Sequence, residues 1–323
     1  MTRDATRAAI STCAQNGIVL AQDLRREGIT GKDILIARRA GELDRQGQGT
    51  YLLGGTTLDD VQRGHVALAM AGPDAVLTGL YAARLLRLRW VPDGGDVQVL
   101  VPADRRRRGS EGWLLVRRCG WIGELRVLPV NGLRVAPVAQ VVVDACRKVT
   151  SLQDARGLVL GAVADRRCTV AEIRAILRKS APAGTAWVRR ACRDAERGAT
   201  SPPEAEAADE FLGKGLPFYV NCAVLLGGVL LGVADVWLLG RGTGGELDSR
   251  EWHAGAEDLD ATLGRDKDFR VAGLWLEHIT PVRFRADPPA FFAAVRGAAD
   301  RRTALGILEP PGLTLKPRGP LLS

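Results

Sequence analysis

An almost unbroken apolar run from Cys222 to Leu239 places the strongest constraint on the fold. It is long enough to suggest a membrane-spanning helix, but Gly227 and Gly228 interrupt it and Asp235 lies near its end. A glycine pair favours a tight turn, and a carboxylate in the hydrocarbon core of a membrane is costly. The run therefore predicts two buried strands joined by a turn.

The composition is typical of a folded chain with more than one domain, since 323 residues are too many for one ordinary hydrophobic core. The N-terminus has acidic and polar residues where a signal peptide needs an apolar stretch, so we expect a cytoplasmic protein that does not enter the membrane. The six cysteines form no C-x-x-C pair, and with three histidines they offer no zinc-site spacing. We expect reduced, mostly buried thiols.

The net charge of +8 is distributed unevenly: residues 1–57 carry +2, residues 58–200 carry +10 and residues 201–323 carry −4. Most of the cations are arginine, which suits bidentate contacts with phosphate, although a GC-rich genome also favours arginine. The positive charge is thus concentrated in residues 58–200, and it favours nucleic acid as a partner of the protein.

Residues 1–57 have the pattern of a winged helix. Helical segments at 3–14 and 20–28 precede a third that Thr30 caps, and the residues ELDRQGQGTYLL then predict two short strands. In a winged helix the third helix enters the major groove and the wing lies against the DNA backbone. The predicted contacts are Lys32, Arg38, Arg39 and Arg45.

This segment resembles the N-terminal domain of the AbiEi-type antitoxins of type IV toxin–antitoxin systems. The R-R-A-G-x-L junction from Arg38 to Leu43 and the G-x-Y pattern from Gly49 to Tyr51 carry the resemblance. It implies a winged helix that binds the promoter of its own operon and precedes an antitoxin domain. The alternative is a helical cap with a surface hairpin.

Residues 58–150 predict an α/β middle domain, with helical segments before strand-like VQVLVPA, WLLVRRC and LRVLPV and a helix in APVAQVVVDACRKV. The P-x-x-Q-x-x-x-D-A pattern from Pro137 to Ala145 also resembles the AbiEi-like proteins. A loop with Arg105, Arg106, Arg107 and Arg108 is either a solvated turn or a contact to the DNA backbone. Residues 151–199 predict a helical connector, which ends at the Gly-, Ser- and Pro-containing stretch ERGATSPPEAEA.

Carboxylates recur in the segment after this boundary. Glu204 lies on a predicted helix, Asp235 on a central strand, and Glu246 and Asp248 lie two apart on the next strand, so these last two share one face. Acids gathered in one place repel each other unless a cation lies between them. Hard oxygen ligands favour Mg²⁺ or Mn²⁺, with Asp235, Glu246 and Asp248 as the predicted ligands.

Residues 200–300 resemble the very-short-patch-repair endonuclease-like domain of the PD-(D/E)XK superfamily. The resemblance rests on the patterns S-P-P-E-x-E, G-V-A-D-V-W, E-L-D-S-R-E-W-H, R-D-x-x-F-R-x-x-G and T-P-V-R-F. It implies catalytic roles for Glu204, Asp235, Glu246, Asp248 and His253. Asp248 replaces the usual lysine of the E-x-K signature, so Lys267, Arg265 or Arg270 would supply the positive charge. Other interpretations are that Asp235 caps a hairpin, that Glu246 and Asp248 face solvent on an edge strand, and that His253 is a surface residue.

The sequence therefore predicts an α/β (α+β) multidomain chain. Its segments are a winged helix-turn-helix (1–57), an α/β antitoxin-like domain (58–150), a helical connector (151–199), a restriction-endonuclease-like domain with a mixed sheet (200–310) and a tail (311–323). Three functions are compatible with it: a DNA-binding regulator of AbiEi antitoxin type, a metal-dependent DNA endonuclease, and a protein-interaction module that neutralises a toxin without DNA. Double-stranded DNA and a cognate toxin protein are the corresponding partners.

Overall fold

In the computed structural model the chain forms two compact units, Met1–Val149 and Thr150–Ser323. The structure describes residues 2–47, 49–105, 112–247 and 256–323, with side chains from residue 264 onward in the last range. Both units combine helices with sheets, so the predicted mixed α/β multidomain fold is confirmed. Five predicted site residues lie outside the described residues: Arg106, Arg107, Arg108, Asp248 and His253.

The first unit begins with the order of elements of a winged helix. These elements are α1 (Arg3–Cys13), β1 (Ile18–Leu20), α2 (Ala21–Arg26), α3 (Gly31–Arg39), β2 (Leu43–Gly47) and β3 (Thr50–Leu53). The strands pair antiparallel in the order β1-β3-β2, so β2 and β3 form the wing. The short strand β1 was not predicted from the sequence.

A capping box fixes the start of α3. The Oγ1 atom of Thr30 accepts a hydrogen bond from the Asp33 amide at 3.3 Å, and the Thr30 amide donates to Oδ2 of Asp33 at 2.9 Å. The Thr30 hydroxyl also donates to Oδ2 of Asp33 at 2.6 Å, and this bond together with the one from the Thr30 amide holds the pKa of Asp33 below its usual range. Ile34 and Ala37 then enter a small apolar core, whose other members include Ile10, Val19, Leu24, Ile29 and Leu43.

The remainder of the first unit is an α/β layer. Its elements are α4 (Asp60–Ala71), β4 (Val76–Thr78), α5 (Gly79–Leu85), β5 (Val97–Pro102), β6 (Leu114–Cys119), β7 (Leu128–Val130), β8 (Leu133–Val135) and α6 (Val138–Cys146). The sheet order is β6-β5-β4-β8-β7. The second helix predicted here begins instead as strand β4, because Gly79 takes a φ of +69° and turns the chain between the strand and α5.

The P-x-x-Q-x-x-x-D-A pattern forms a buried hydrogen-bond network. Gln140 and Asp144 lie one turn apart on α6, and Nε2 of Gln140 donates to Oδ2 of Asp144 at 2.9 Å. The same carboxylate accepts from Oγ1 of Thr78 at 2.7 Å and from the guanidinium of Arg117. Because buried polar groups need partners, this network ties α6 to strands β4 and β6.

The second unit contains a helical layer and a mixed sheet. Its elements are α7 (Leu152–Ala164), α8 (Val170–Lys179), α9 (Ala186–Glu196), α10 (Pro202–Phe211), β9 (Phe218–Leu226), β10 (Val229–Leu238), β11 (Thr243–Leu247), α11 (Ala256–Val271), β12 (Trp275–Ile279), α12 (Pro281–Ala286), α13 (Pro288–Ala304) and β13 (Leu313–Pro317). The sheet order is β12-β11-β10-β9-β13, in which only the β11–β12 pair is parallel.

The apolar run from Cys222 to Leu239 forms a β-hairpin, as predicted. Leu226 pairs with Val229, and Gly227 and Gly228 take positive φ values of 57° and 85° in the turn. The segment 311–323, predicted as a tail, instead supplies β13, which pairs antiparallel with β9. This prediction was wrong because β9 would otherwise have a free edge. The backbone of Leu313–Pro317 forms hydrogen bonds with the backbone groups at that edge.

Five of the six cysteines are buried, and all six are free thiols, as predicted. Burial raises the pKa of Cys168 to about 12 and that of Cys222 to about 11, which keeps both protonated at neutral pH. Within the described residues, no helix has the length and apolar character needed to cross a membrane.

An ionic network joins helices α7, α9 and α10 of the second unit. The guanidinium of Arg156 on α7 is 2% exposed, and its Nε lies 2.9 Å from Oδ2 of Asp194 on α9, which is 1% exposed. Arg156 also contacts Asp209 on α10. These hydrogen bonds outweigh the desolvation of the guanidinium and raise the pKa of Arg156 above its usual range.

We expect Arg156→Ala to lower the free energy of unfolding by about 3–5 kcal/mol, because it leaves the buried Asp194 carboxylate without this partner. Arg174→Ala is the control, since Arg174 forms an ion pair with Glu196 in which both side chains are at least one-third exposed. The control should change the free energy by about 0–1 kcal/mol. Urea unfolding followed by circular dichroism measures both, and equal losses would show that the buried network is not a main source of stability.

Candidate functional site

The outward face of α3 carries the predicted DNA-contacting cations. Lys32, Arg38 and Arg39 are exposed, and Arg45 is exposed on strand β2 of the wing. Between the cations lie Leu35 and Ile36, which are 42% and 49% exposed. The face therefore combines positive charge with accessible apolar surface.

A cleft of about 1150 Å³ lies beside α3 within the first unit. Gly31 and Ile34 of α3, Arg25 of α2 and Arg45 of the wing line one part of it. Arg105 and Arg134, from the α/β layer, line another part. No aspartate or glutamate is among the described residues that line the cleft, so its walls carry a net positive charge.

Two of the cleft arginines are held in place. Nη2 of Arg105 lies 3.0 Å from Oδ2 of Asp74, and Arg134 donates to the backbone carbonyl of Pro73. Of the four arginines in the predicted loop, the structure describes Arg105. This residue lines the cleft together with residues of the winged helix. Arg25 and Arg134 were not singled out from the sequence, because nothing near either residue indicates that α2 and β8 line one cleft.

In the second unit, the predicted carboxylates lie on neighbouring strands. In the antiparallel pair of β10 and β11, Val236 lies opposite Gly245. The adjacent residues Asp235 and Glu246 therefore also lie opposite each other. The backbone amide of Leu247 donates to Oδ2 of Asp235 at 2.7 Å. In the parallel pair, Glu246 lies beside His278 of β12. The sheet therefore brings Asp235, Glu246 and His278 into one row.

Glu204 reaches this row through Asn221. Its carboxylate accepts hydrogen bonds from the Thr200 amide at 2.7 Å and from the Ser201 hydroxyl at 2.8 Å, at the start of α10. The Nδ2 atom of Asn221 on β9 also donates to Glu204, and Asn221 lies opposite Asp235 in the β9–β10 register. Glu204 thus anchors the helix start to the strand that adjoins Asp235.

The regular alternation of side chains along β9 is interrupted at Asn221, which has a φ of +49°. Phe218 and Val220 contribute to the core beneath α10 and α13, whereas Cys222 and Val224 contribute to the core beneath α11. A regular strand would place all four on one face. Asparagine tolerates a positive φ, but at an energetic cost that is often found at functional sites.

Helix α11 brings charged side chains to the same row. Nη2 of Arg265 lies 3.4 Å from Oε1 of Glu246, and Oδ1 of Asp266 lies 2.8 Å from Nε2 of His278. Phe269, one turn further on, is buried against the sheet, whereas Lys267 is exposed. The cation that α11 brings to Glu246 is therefore Arg265 rather than Lys267.

The described residues offer Asp235 and Glu246 as neighbouring oxygen donors of the kind that Mg²⁺ and Mn²⁺ prefer. They contain no group of three acidic, histidine or cysteine side chains placed to hold a metal ion. The third predicted ligand, Asp248, lies outside the described residues. The metal site stays a prediction.

Sequence reasoning missed His278 and Asn221. His278 lies in the segment WLEHI, where a strand would place it on the same face as Leu276. The sequence does not show that β12 pairs in parallel with β11, and this pairing is what brings His278 beside Glu246. Nothing in the sequence near Asn221 indicates a positive φ within a strand.

No protein-family model and no curated protein matches the chain. Among solved structures, the RV2827C protein from Mycobacterium tuberculosis shares 18% sequence identity with it, and the alignment covers 64% of this chain and 80% of that one with a TM-score of 0.45. A likeness of this size carries no argument about function.

We expect Asp235→Ala to lower the free energy of unfolding by about 1–3 kcal/mol, because the amide of the buried Leu247 loses its acceptor. Asp235→Asn retains a carbonyl oxygen at this position and should lose less. Chemical denaturation of the three proteins measures the difference. Equal stability of Asp235→Ala and the wild type would exclude a structural role for this hydrogen bond.

Proposed function

We propose that the protein binds double-stranded DNA through its winged helix, with α3 in the major groove and the arginine-lined cleft along the phosphate backbone. The observation that carries the proposal is the outward face of α3, where Lys32, Arg38 and Arg39 are all exposed beside a cleft with no acidic side chain among its described lining residues. Arginine and lysine at such positions neutralise phosphates and release counterions.

The geometry of the first unit supports this assignment over that of a helical cap. The exposed face of a helix that served only as a cap would carry charges of both signs, whereas the charged residues exposed in α3 are all cations, and Lys32 and Arg39 lie opposite the buried Ile34 and Ala37. The wing brings Arg45 to the same cleft, and the α/β layer brings Arg105 and Arg134. A duplex on this face would meet positive charge from the helix, the wing and the neighbouring layer.

We expect replacement of Lys32, Arg38 and Arg39 by alanine to weaken duplex binding and to flatten its salt dependence. The slope of log K against log salt should fall by up to about one for each cation that contacts a phosphate. Fluorescence anisotropy with a labelled random-sequence duplex, repeated over a series of salt concentrations, measures both quantities.

The matched control replaces Arg283, Arg285 and Lys316 by alanine. These three residues are exposed on the second unit, and their replacement removes the same charge as the α3 variant does. Its affinity and slope should stay close to those of the wild type. If the control and the α3 variant lose affinity equally, the interaction depends on net charge and the proposed interface is wrong.

A metal-dependent endonuclease activity of the second unit is a second candidate function. The order α10-β9-β10-β11-α11 reproduces the helix–strand–strand–strand–helix sequence in which the carboxylates were predicted to converge. The observation that favours it is the row of Asp235, Glu246 and His278, which lies beside the change of face at Asn221. A divalent ion bound to such acids supplies Lewis-acid activation of a water and of a phosphodiester.

The residues of the chain have definable roles in this candidate. Asp235 and Glu246 would hold the cation, and Arg265 would place its guanidinium where negative charge develops on a phosphate. Asp266 orients the imidazole of His278 by contact with its Nε2 atom. The negative charge of residues 201–323 means that DNA would have to be held mainly by the first unit.

We expect Asp235→Asn combined with Glu246→Gln to abolish any nicking of supercoiled plasmid in Mg²⁺ or Mn²⁺ and to leave duplex affinity unchanged. These substitutions remove the charge and keep the side-chain size. Asp300→Asn combined with Glu210→Gln is the control, since it removes the same charge from two carboxylates that pair with Arg296 and Lys214 rather than with residues of the row. Nicking that persists in the first variant, or that withstands EDTA, would remove the catalytic assignment.

The resemblance to AbiEi-type antitoxins supports a regulatory role for the DNA binding, with a cognate toxin as protein partner. A module that neutralises a toxin without DNA would show no duplex affinity in the anisotropy assay. The salt titration therefore distinguishes the regulator from the interaction module.

A further inference from the structure

The recognition face of α3 has an unusual composition for a surface helix. Of the four consecutive apolar residues in α3, Ile34 and Ala37 are buried, while Leu35 and Ile36 are 42% and 49% exposed. Lys32, Leu35, Ile36 and Arg39 follow the i, i+3, i+4, i+7 spacing that places side chains on one side of a helix. The cations therefore flank an apolar patch.

The charge around the patch identifies its occupant as an anion. Lys32 and Arg39 lie on the same side of the helix as Leu35 and Ile36, Arg38 is exposed next to Arg39, and the cleft beside Gly31 and Ile34 contains four more arginines. A second copy of the chain would bring the same positive charge against this face, which disfavours self-association. DNA complements the charge, and its major groove also offers an apolar group, the 5-methyl group of thymine.

The side chains exposed on this face limit the bases that it can recognise through hydrogen bonds. Gly31, Lys32, Leu35, Ile36, Arg38 and Arg39 are the exposed residues within α3, before its C-terminal cap. Asparagine or glutamine, which read adenine through paired hydrogen bonds, are not among them. Arginine and lysine read guanine or bind phosphate, and leucine and isoleucine are left to contact thymine methyl groups.

Given the proposed DNA binding, we infer that Leu35 and Ile36 recognise thymine through its 5-methyl group in the major groove. Sequence preference at those positions then comes from burial of a methyl group rather than from hydrogen bonds. Removal of one buried methyl group weakens binding about fourfold. Deoxyuridine, which lacks this methyl group and is otherwise identical to thymidine, is the direct probe.

The test starts from a random-sequence duplex library from which the wild-type protein selects its preferred sequences. Selected duplexes are then resynthesised with deoxyuridine at one thymidine at a time, and affinity is measured by anisotropy. We expect one or more thymines at which the substitution weakens binding about fourfold. The variant Leu35→Ala with Ile36→Ala should bind the thymidine duplex about tenfold more weakly and should not respond to deoxyuridine.

Leu58→Ala is the control, because Leu58 is 40% exposed in the same unit but lies outside α3. It should respond to deoxyuridine as the wild type does. Circular dichroism should give the same spectrum for all variants, since the replaced side chains do not belong to the buried core of the winged helix.

The outcomes separate this inference from the proposal on which it rests. If the wild type binds no duplex, the proposed function fails and the inference fails with it. If it binds duplexes but no deoxyuridine substitution changes the affinity, DNA binding stands and thymine recognition is wrong. If the wild type is a dimer by light scattering and the Leu35→Ala, Ile36→Ala variant is a monomer, the patch is covered by a second copy and the inference is overturned.

Discussion

The orientation of α3 depends on a small apolar core that admits only one side of the helix. The Thr30–Asp33 capping box fixes where the helix begins, and the burial of Ile34 and Ala37 fixes its rotation. Because a helix turns by 100° per residue, these two constraints turn Leu35, Ile36 and the cations Lys32 and Arg39 outward. The proposed DNA-binding face is thus a consequence of the way in which the winged helix folds.

A different constraint shapes the second unit. The positive φ of Asn221 reverses the alternation of β9, so that one strand serves the core beneath α10 and α13 at one end and the core beneath α11 at the other. Asn221 also links Glu204 to the sheet, and Asp235, opposite it, accepts from the amide of Leu247. The carboxylates of the candidate nuclease therefore have structural partners as well as proposed chemical ones. Substitutions such as Asp235→Asn, which keep the size of the side chain and remove its charge, are therefore the ones that separate a catalytic role from a structural one.

Local signals in the sequence predicted much of this architecture. Thr30 caps α3 as predicted, and the Gly227-Gly228 pair forms the turn of a β-hairpin. Features that depend on long-range packing were not predictable. The pairing of β12 with β11, the addition of β13 to the sheet edge and the approach of Arg265 rather than Lys267 to Glu246 all depend on contacts between distant segments. Ile34, Leu35 and Ile36 are adjacent in the sequence, and only the fold shows that Ile34 is buried while the other two are exposed.

The central claim is that α3 lies in the major groove of duplex DNA. Dimethyl sulfate footprinting tests it most directly, because this reagent methylates N7 of guanine in the major groove and N3 of adenine in the minor groove. At saturating protein, we expect guanines in the bound sequence to be protected and adenines on the same face to stay reactive, apart from those beneath the wing. Protection confined to adenine N3, or no protection of any guanine, would contradict the account.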